Sequence, residues 1–325
     1  MKKLSILMML CLCVLIGHAQ QVTLQEVATG AYRTEGIYGI KPMLDGEHYT
    51  QISRDGKKIV KYSFKTGKEV GTVFDIETAR DCTLKRFDDY IMSPDETKIL
   101  IQTETKAIYR RSFTAVYYIF NVRNNTLEPL SDGGPQQVPL FSPDGNQIAF
   151  VRDNNLFLVK LLFGNSESQV TTDGKFNHVL NGIPDWVYEE EFGCRDGFRW
   201  SPDSKYIAYW QSDTNGTGWF DIINNVDSIY PTIHRFPYPK AGTTNSAVKV
   251  GYVSVEGGAT TWVNIPGDAR EHYIPRMEFI PGCNELFIQQ MNRPQNTNKV
   301  WTIQIGGTEP TNIFTDTDAA WLETN

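Results

Sequence analysis

The sequence predicts an all-β fold, a β-propeller, and three observations carry that prediction. One turn motif recurs along the 325 residues, each copy leads into alternating strands, and the copies sit at blade-like spacing. The copies are Ile52-Ser53-Arg54-Asp55-Gly56, Met92-Ser93-Pro94-Asp95, Phe141-Ser142-Pro143-Asp144-Gly145 and Trp200-Ser201-Pro202-Asp203. A degenerate fifth is Phe279-Ile280-Pro281-Gly282. Proline presets φ for the first turn position, while Ser and Asp side chains bond nearby backbone amides. These aspartates therefore read as turn formers, not as catalytic acids.

Each turn is followed by a strand pattern, such as Gln147-Ile148-Ala149-Phe150-Val151 or Tyr206-Ile207-Ala208-Tyr209-Trp210. A second strand often follows, as in Asn155-Leu156-Phe157-Leu158-Val159-Lys160. The turns start at 53, 93, 142, 201 and 280, in steps of 40, 49, 59 and 79 residues. A propeller blade takes about 40–50 residues, so the first two steps fit and the later ones carry insertions. About five blades are legible. A second marker recurs near blade junctions, in Leu130-Ser131-Asp132-Gly133, Val170-Thr171-Thr172-Asp173-Gly174 and Ile313-Phe314-Thr315-Asp316. No amphipathic helix pattern longer than about two turns interrupts the series.

Composition narrows the function classes. The 31 Lys+Arg against 38 Asp+Glu give a net charge of −7, which excludes a general nucleic-acid binder because phosphate binding needs a basic surface. At the N-terminus, Lys2 and Lys3 precede an apolar run of about 13 residues and then Gly17-His18-Ala19. This is the pattern of a secretory signal peptide, residues 1–19, cut after Ala19. A membrane span needs about 20 apolar residues, so cleavage is favoured over a retained anchor. The expected location is outside the cytoplasm: secreted, periplasmic or in the cell envelope. Cleavage removes Cys11 and Cys13, leaving Cys82, Cys194 and Cys283, which can form at most one disulfide. His48, His178, His234 and His272 are isolated from one another and from cysteine, so no metal site and no cofactor is expected.

Function is expected in the insertions, because loops on a rigid scaffold carry binding. The stretch between Asp173 and Ser201 holds Ile183-Pro184-Asp185-Trp186-Val187-Tyr188-Glu189-Glu190-Glu191-Phe192-Gly193. Three adjacent carboxylates beside Trp and Tyr are unlike an ordinary solvated charge run. Trp186 and Tyr188 read as packing residues that support the loop.

The run from Asp185 to Glu191 resembles the propeller signature of the dipeptidyl peptidase IV branch of the prolyl oligopeptidase family. Tyr109-Arg110-Arg111-Ser112-Phe113-Thr114-Ala115 is similar to that branch's arginine-bearing segment. Pro237-Tyr238-Pro239-Lys240-Ala241-Gly242, Tyr273-Ile274-Pro275-Arg276 and Asn292-Arg293-Pro294-Gln295-Asn296 fit it in order and spacing. The resemblance covers residues 20–325, essentially all of the chain after the signal peptide.

The resemblance implies an eight-bladed propeller followed by an α/β-hydrolase domain carrying Ser, Asp and His. It further implies that Glu190 and Glu191 grip a peptide's free α-ammonium and that Arg110 bonds the carbonyl of the second residue. A primary ammonium has three donors, and charge-assisted bonds to carboxylates contribute about 1.5–3 kcal/mol each. Holding the amine at a fixed distance from a nucleophile makes the enzyme count two residues and release a dipeptide, of Xaa-Pro or Xaa-Ala type. The partners implied are peptide N-termini, a C-terminal hydrolase domain and, at full length, a second copy in a homodimer. If the signature is helical, neighbouring side chains diverge by about 100°, so two carboxylates share one ammonium only near a helix end. Glu189 therefore competes with either assigned glutamate, and Arg111 competes with Arg110.

No Gly-x-Ser-x-Gly nucleophile elbow occurs in the 325 residues. The expectation is an incomplete propeller, about five blades of eight, with no hydrolase domain and no catalytic residue of its own. The chain reads as the N-terminal segment of a secreted serine exopeptidase and, alone, as inactive. The alternative is a non-catalytic secreted propeller that binds peptides or partner proteins.

Overall fold

The computed structural model describes residues 22–34 and 36–324, so the expected signal peptide lies outside the described residues. Two compact units divide at Lys41. In the first, helix α1 (Leu24–Thr29) opens on a reciprocal cap: Glu26 N–H donates to the Thr23 hydroxyl and Thr23 N–H donates to the Glu26 carboxylate. Gly30 closes it in the left-handed region at φ 76°.

The second unit is a succession of antiparallel sheets. Strands β1 (Lys41–Pro42), β2 (His48–Ile52), β3 (Lys58–Ser63) and β4 (Glu69–Asp75) pair in chain order. So do β5 (Asp89–Met92), β6 (Lys98–Ala107), β7 (Phe113–Asn121) and β8 (Thr126–Pro129). The third sheet is β9 (Gln137–Phe141), β10 (Gln147–Arg152), β11 (Asn155–Lys160) and β12 (Ser166–Gln169). The fourth contains β13 (Val179–Asn181), β14 (Phe198–Trp200), β15 (Tyr206–Asp213), β18 (Ala247–Ser254) and β19 (Thr261–Trp262). A separate hairpin, β16 (Trp219–Asn224) with β17 (Thr232–Pro237), projects between β15 and β18. The fifth sheet is β20 (His272–Phe279), β21 (Glu285–Asn292), β22 (Thr297–Gln304) and β23 (Thr311–Thr317). None of the described residues forms an α/β-hydrolase domain.

Consecutive sheets share their cores, which is what a propeller requires. Ile59 and Phe74 of the first sheet pack with Tyr90, Ile99 and Phe120 of the second. Leu100 and Tyr117 of the second pack with Ile148 and Phe150 of the third. Leu156 and Leu158 then meet Phe198 and Ile207 of the fourth, and Trp210 and Val250 meet Ile274 and Ile288 of the fifth. Burial of these alternating side chains against a neighbouring blade is the main stabilising term. Edge strand β23 is exposed throughout.

The turn motif folds as its chemistry dictates. In all four full copies the serine hydroxyl donates to the aspartate two residues on, at 2.6, 2.6, 2.5 and 2.7 Å for Ser53, Ser93, Ser142 and Ser201. The same hydroxyls accept the amides of Lys58, Lys98, Gln147 and Tyr206 at 2.9–3.0 Å. At Asp95 burial works against ionisation, yet bonds from Ser93 and Thr97 hold the carboxyl down at about 2. The aspartates are structural.

One copy sits elsewhere than the spacing implied. The Ser53 turn joins β2 to β3, whereas the other copies join the first and second strands of their sheets. The equivalent turn of the first sheet is Met43–Gly46, where Met43 N–H donates to His48 and Asp45 caps the Glu47 and His48 amides. Turn chemistry specifies a hairpin, not its place in a blade, so the first interval could not be measured from Ser53.

Candidate functional site

The signature insertion is built into the first strand of the fourth sheet. β13 and β14 both pair with β15, one after the other along the same edge, and residues 183–196 leave the sheet between them. The excursion is pinched at its base by two glycines. Gly182 N–H donates to Trp210 O, Trp210 N–H to Gly197 O, and Gly197 N–H to Gly182 O, at 2.8–3.0 Å. A Cβ at Gly197 would stand 2.7 Å from backbone atoms of Gly182 and Ile183, so only glycine lets the two strand ends approach this closely.

Within the excursion, helix α2 (Trp186–Glu190) is one short turn. Its N-cap is Asp185, which accepts Tyr188 N–H at 3.0 Å on one oxygen and the Ser246 hydroxyl at 2.7 Å on the other. Burial pushes the Asp185 carboxyl above the ordinary carboxylate value, with those two bonds opposing it. Tyr188 is buried between the fourth and fifth sheets, and its hydroxyl accepts Ile274 N–H at 2.7 Å. Arg276 donates to Phe192 O at 3.0 Å and to Pro275 O at 2.8 Å, bracing the segment after the helix. The Trp186 ring lies 4.4 Å from the Tyr238 ring, just beyond β17. Tyr188 is thus a packing residue, while Trp186 packs on one side and lines two cavities with the rest of its surface.

Glu190 and Glu191 fall at the C-terminal end of this helix, where the backbone carbonyls favour cations over anions, while Glu189 still belongs to its first turn. That local conflict is resolved by arginines and by divergence of the side chains. Glu189 points inward and is 1 % exposed; its Oε1 accepts Arg111 N–H at 2.6 Å and Ser112 N–H at 2.9 Å. Glu190, the last helical residue, accepts from Arg110 Nε at 2.9 Å. Glu191 is the C-cap and is exposed.

The arginines come from the tip of the β6–β7 hairpin. Ile108 N–H donates to Ser112 O at 2.8 Å and closes the turn, so Arg110 and Arg111 sit in a loop where strand alternation does not apply. Arg110 is largely exposed and reaches Glu190, whereas Arg111 turns back to the Glu189 backbone carbonyl at 3.4 Å. The tip therefore presents one arginine to the helix-end carboxylates.

Segments distant in sequence converge here. Glu191 lines a cavity of about 590 Å³ together with Tyr238, Lys240, Tyr273 and Arg293, which come from the other three signature-like runs. Arg293 is engaged there by Glu271 at 3.1 Å. A second cavity of about 940 Å³ lies across Trp186, lined by Tyr109, Ile183, Phe176 and His234 among others. Sequence reasoning missed the Ser246–Asp185 bond, the Tyr188–Ile274 bond and the inward Glu189. Ser246 carries no local signal, since only folding brings it to the helix cap.

Residues 93–325 match the family model described as the dipeptidyl peptidase IV (DPP IV) N-terminal region. The crystal structure of Porphyromonas gingivalis dipeptidyl peptidase 4 superimposes with a TM-score of 0.88 at 40% identity, over 93% of this chain and 43% of that one. A putative dipeptidyl aminopeptidase IV from Bacteroides ovatus shares the fold, with a TM-score of 0.64 at 20% identity over 89% of this chain and 38% of that one. A probable dipeptidyl-aminopeptidase B of Chaetomium globosum is 30% identical over 282 residues, 81% of this chain and 29% of the relative. The chain thus spans less than a third of that curated relative's length. With five successive propeller sheets among the described residues and its signature helix, the chain belongs to the dipeptidyl peptidase IV family, whose N-terminal region it matches.

Proposed function

We propose that this chain is the substrate-recognising propeller of a secreted dipeptidyl peptidase, and that it binds the free N-terminus of a peptide. Glu190 and Glu191 accept the α-ammonium, and Arg110 donates to the carbonyl of the second residue. The observation that carries this reading is the 2.9 Å pairing of Arg110 with Glu190 at the end of α2. It puts a donor and an acceptor of the required kinds side by side, with Glu191 on the next residue. An arriving ammonium adds three donors to a carboxylate pair that one guanidinium only partly satisfies.

The chemistry is assigned to an α/β-hydrolase partner domain whose serine, histidine and oxyanion hole cleave the second peptide bond. Anchoring the amine sets the distance to that nucleophile, so Xaa-Pro or Xaa-Ala dipeptides are released. The propeller also frames the approach of short or unfolded peptide ends, and the full-length protein pairs as a homodimer. The site of action is the periplasm, the envelope or the exterior.

The test is hydrolysis of a Gly-Pro chromogenic amide by the native gene product, beside Glu190→Gln and Glu191→Gln. Each variant is expected to lower kcat/KM at least about tenfold, since one pairing contributes more than about 1.4 kcal/mol. A stable but inert wild type, with dipeptide binding indifferent to Glu190→Gln, would favour the non-catalytic propeller instead.

A further inference from the structure

The three glutamates of α2 are not equivalent, and the inward one has its own task. Glu189 is 1 % exposed, and its Oε1 takes two backbone amides, Arg111 at 2.6 Å and Ser112 at 2.9 Å. Its Oε2 is buried and has no hydrogen-bond partner among the described residues. A half-satisfied acid in such a position is costly as a packing group, because each carboxylate oxygen taken from water needs compensation. Two amides on a single oxygen form a specific grip on the backbone, 77 and 78 residues away in sequence.

What Glu189 grips is the turn that carries Arg110. On the other side of that turn the Tyr109 ring packs 5.4 Å from Phe236 of β17. Arg110 lies between the two attachments, with its own side chain largely exposed and bonded only to Glu190 among the described residues. A pair whose arginine is mostly in solvent holds that side chain only weakly by itself. The orientation of Arg110 toward Glu190 is set by the backbone beneath it.

We propose that Glu189 is a positioning residue. Its carboxylate clamps the Arg111 and Ser112 amides, so that Arg110 and Glu190 face one another where the peptide amine enters. This rests on the amine-binding reading above. Glu189 does not touch the amine itself.

The experiment compares the native gene product with its Glu189→Ala and Glu189→Gln variants, using amide hydrogen exchange and NMR titration with glycyl-proline amide and its N-acetyl form. In Glu189→Ala the Arg111 and Ser112 amides are expected to exchange at least tenfold faster, with the blade cores unchanged. The preference for the free amine is expected to fall at least fivefold. Glu189→Gln keeps one acceptor but loses the charge, so it should recover only part of both. A purely space-filling role predicts full recovery, because the two side chains have nearly the same volume. Unchanged exchange at Arg111 and Ser112 in both variants overturns the clamp. Faster exchange with undiminished amine preference overturns the positioning role. A wild type indifferent to N-acetylation, with the two amides released in Glu189→Ala, overturns the amine reading and leaves the clamp standing.

Discussion

Arg110 and Glu190, 80 residues apart in the chain, meet at 2.9 Å between Nε and Oε2. The arginine belongs to a hairpin tip of the second sheet and the glutamate to a helix inserted in the fourth, so the contact exists only once the blades are stacked. Because one partner is mostly in solvent, the pair is worth little to the fold.

Arg110→Ala is therefore expected to change unfolding free energy by less than about 1 kcal/mol while weakening glycyl-proline amide binding severalfold. Denaturant titration and NMR titration of the same samples separate the two effects. A large stability loss with intact binding would show that the arginine is structural.

Gly197→Ala should destabilise by about 1–3 kcal/mol, because its Cβ would meet the Gly182 and Ile183 backbone at 2.7 Å. The damage should be felt first at the base of the excursion, as loss of hydrogen-exchange protection at the Gly182 and Trp210 amides. Retention of wild-type stability and protection would mean that the strand ends can part without cost.

Asp185 supplies a pH signature. Its folded carboxyl is raised above the ordinary 3.8, chiefly by burial. As pH climbs from that value, the unfolded chain releases its proton first, so this group lowers stability until the folded carboxyl has also ionised. Asparagine can still accept the Tyr188 amide. Relative to wild type, Asp185→Asn should therefore be more stable at pH 7 than it is at pH 4, read from denaturant midpoints. A constant difference between the two pH values would rule out titration of Asp185 as the cause.

His272 acts in the opposite direction. It is buried between Val248 O and the Gln290 amide, and burial lowers its pKa from the ordinary 6.5. Below about 6.5 the unfolded chain takes up a proton before the folded one does, so stability falls as pH drops toward the depressed value. His272→Gln should flatten that acid limb of the midpoint curve. An unchanged limb would place the loss on other groups.

Much of this was legible in the residues. Ser-Pro-Asp turns are local devices: Ser142, Asp144 and Gln147 lie within six residues and complete their bonds among themselves, so pattern alone foretold each hairpin. The signature around Glu190 was legible for the same reason, as a short run of unusual composition. Where the reading went astray, as with the Ser53 turn, the same local chemistry served a different hairpin of its sheet.

The sequence by itself determined the strand type, the turns, the place of the insertion and the identity of the charged residues gathered in it. Tertiary structure alone decided their roles. Helical rotation sends Glu189, Glu190 and Glu191 in different directions, but only the neighbouring blade settles which meets backbone amides, which meets Arg110 and which meets solvent. A carboxylate's task depends on the donors and the water around it, and those come from residues nearly 80 positions away.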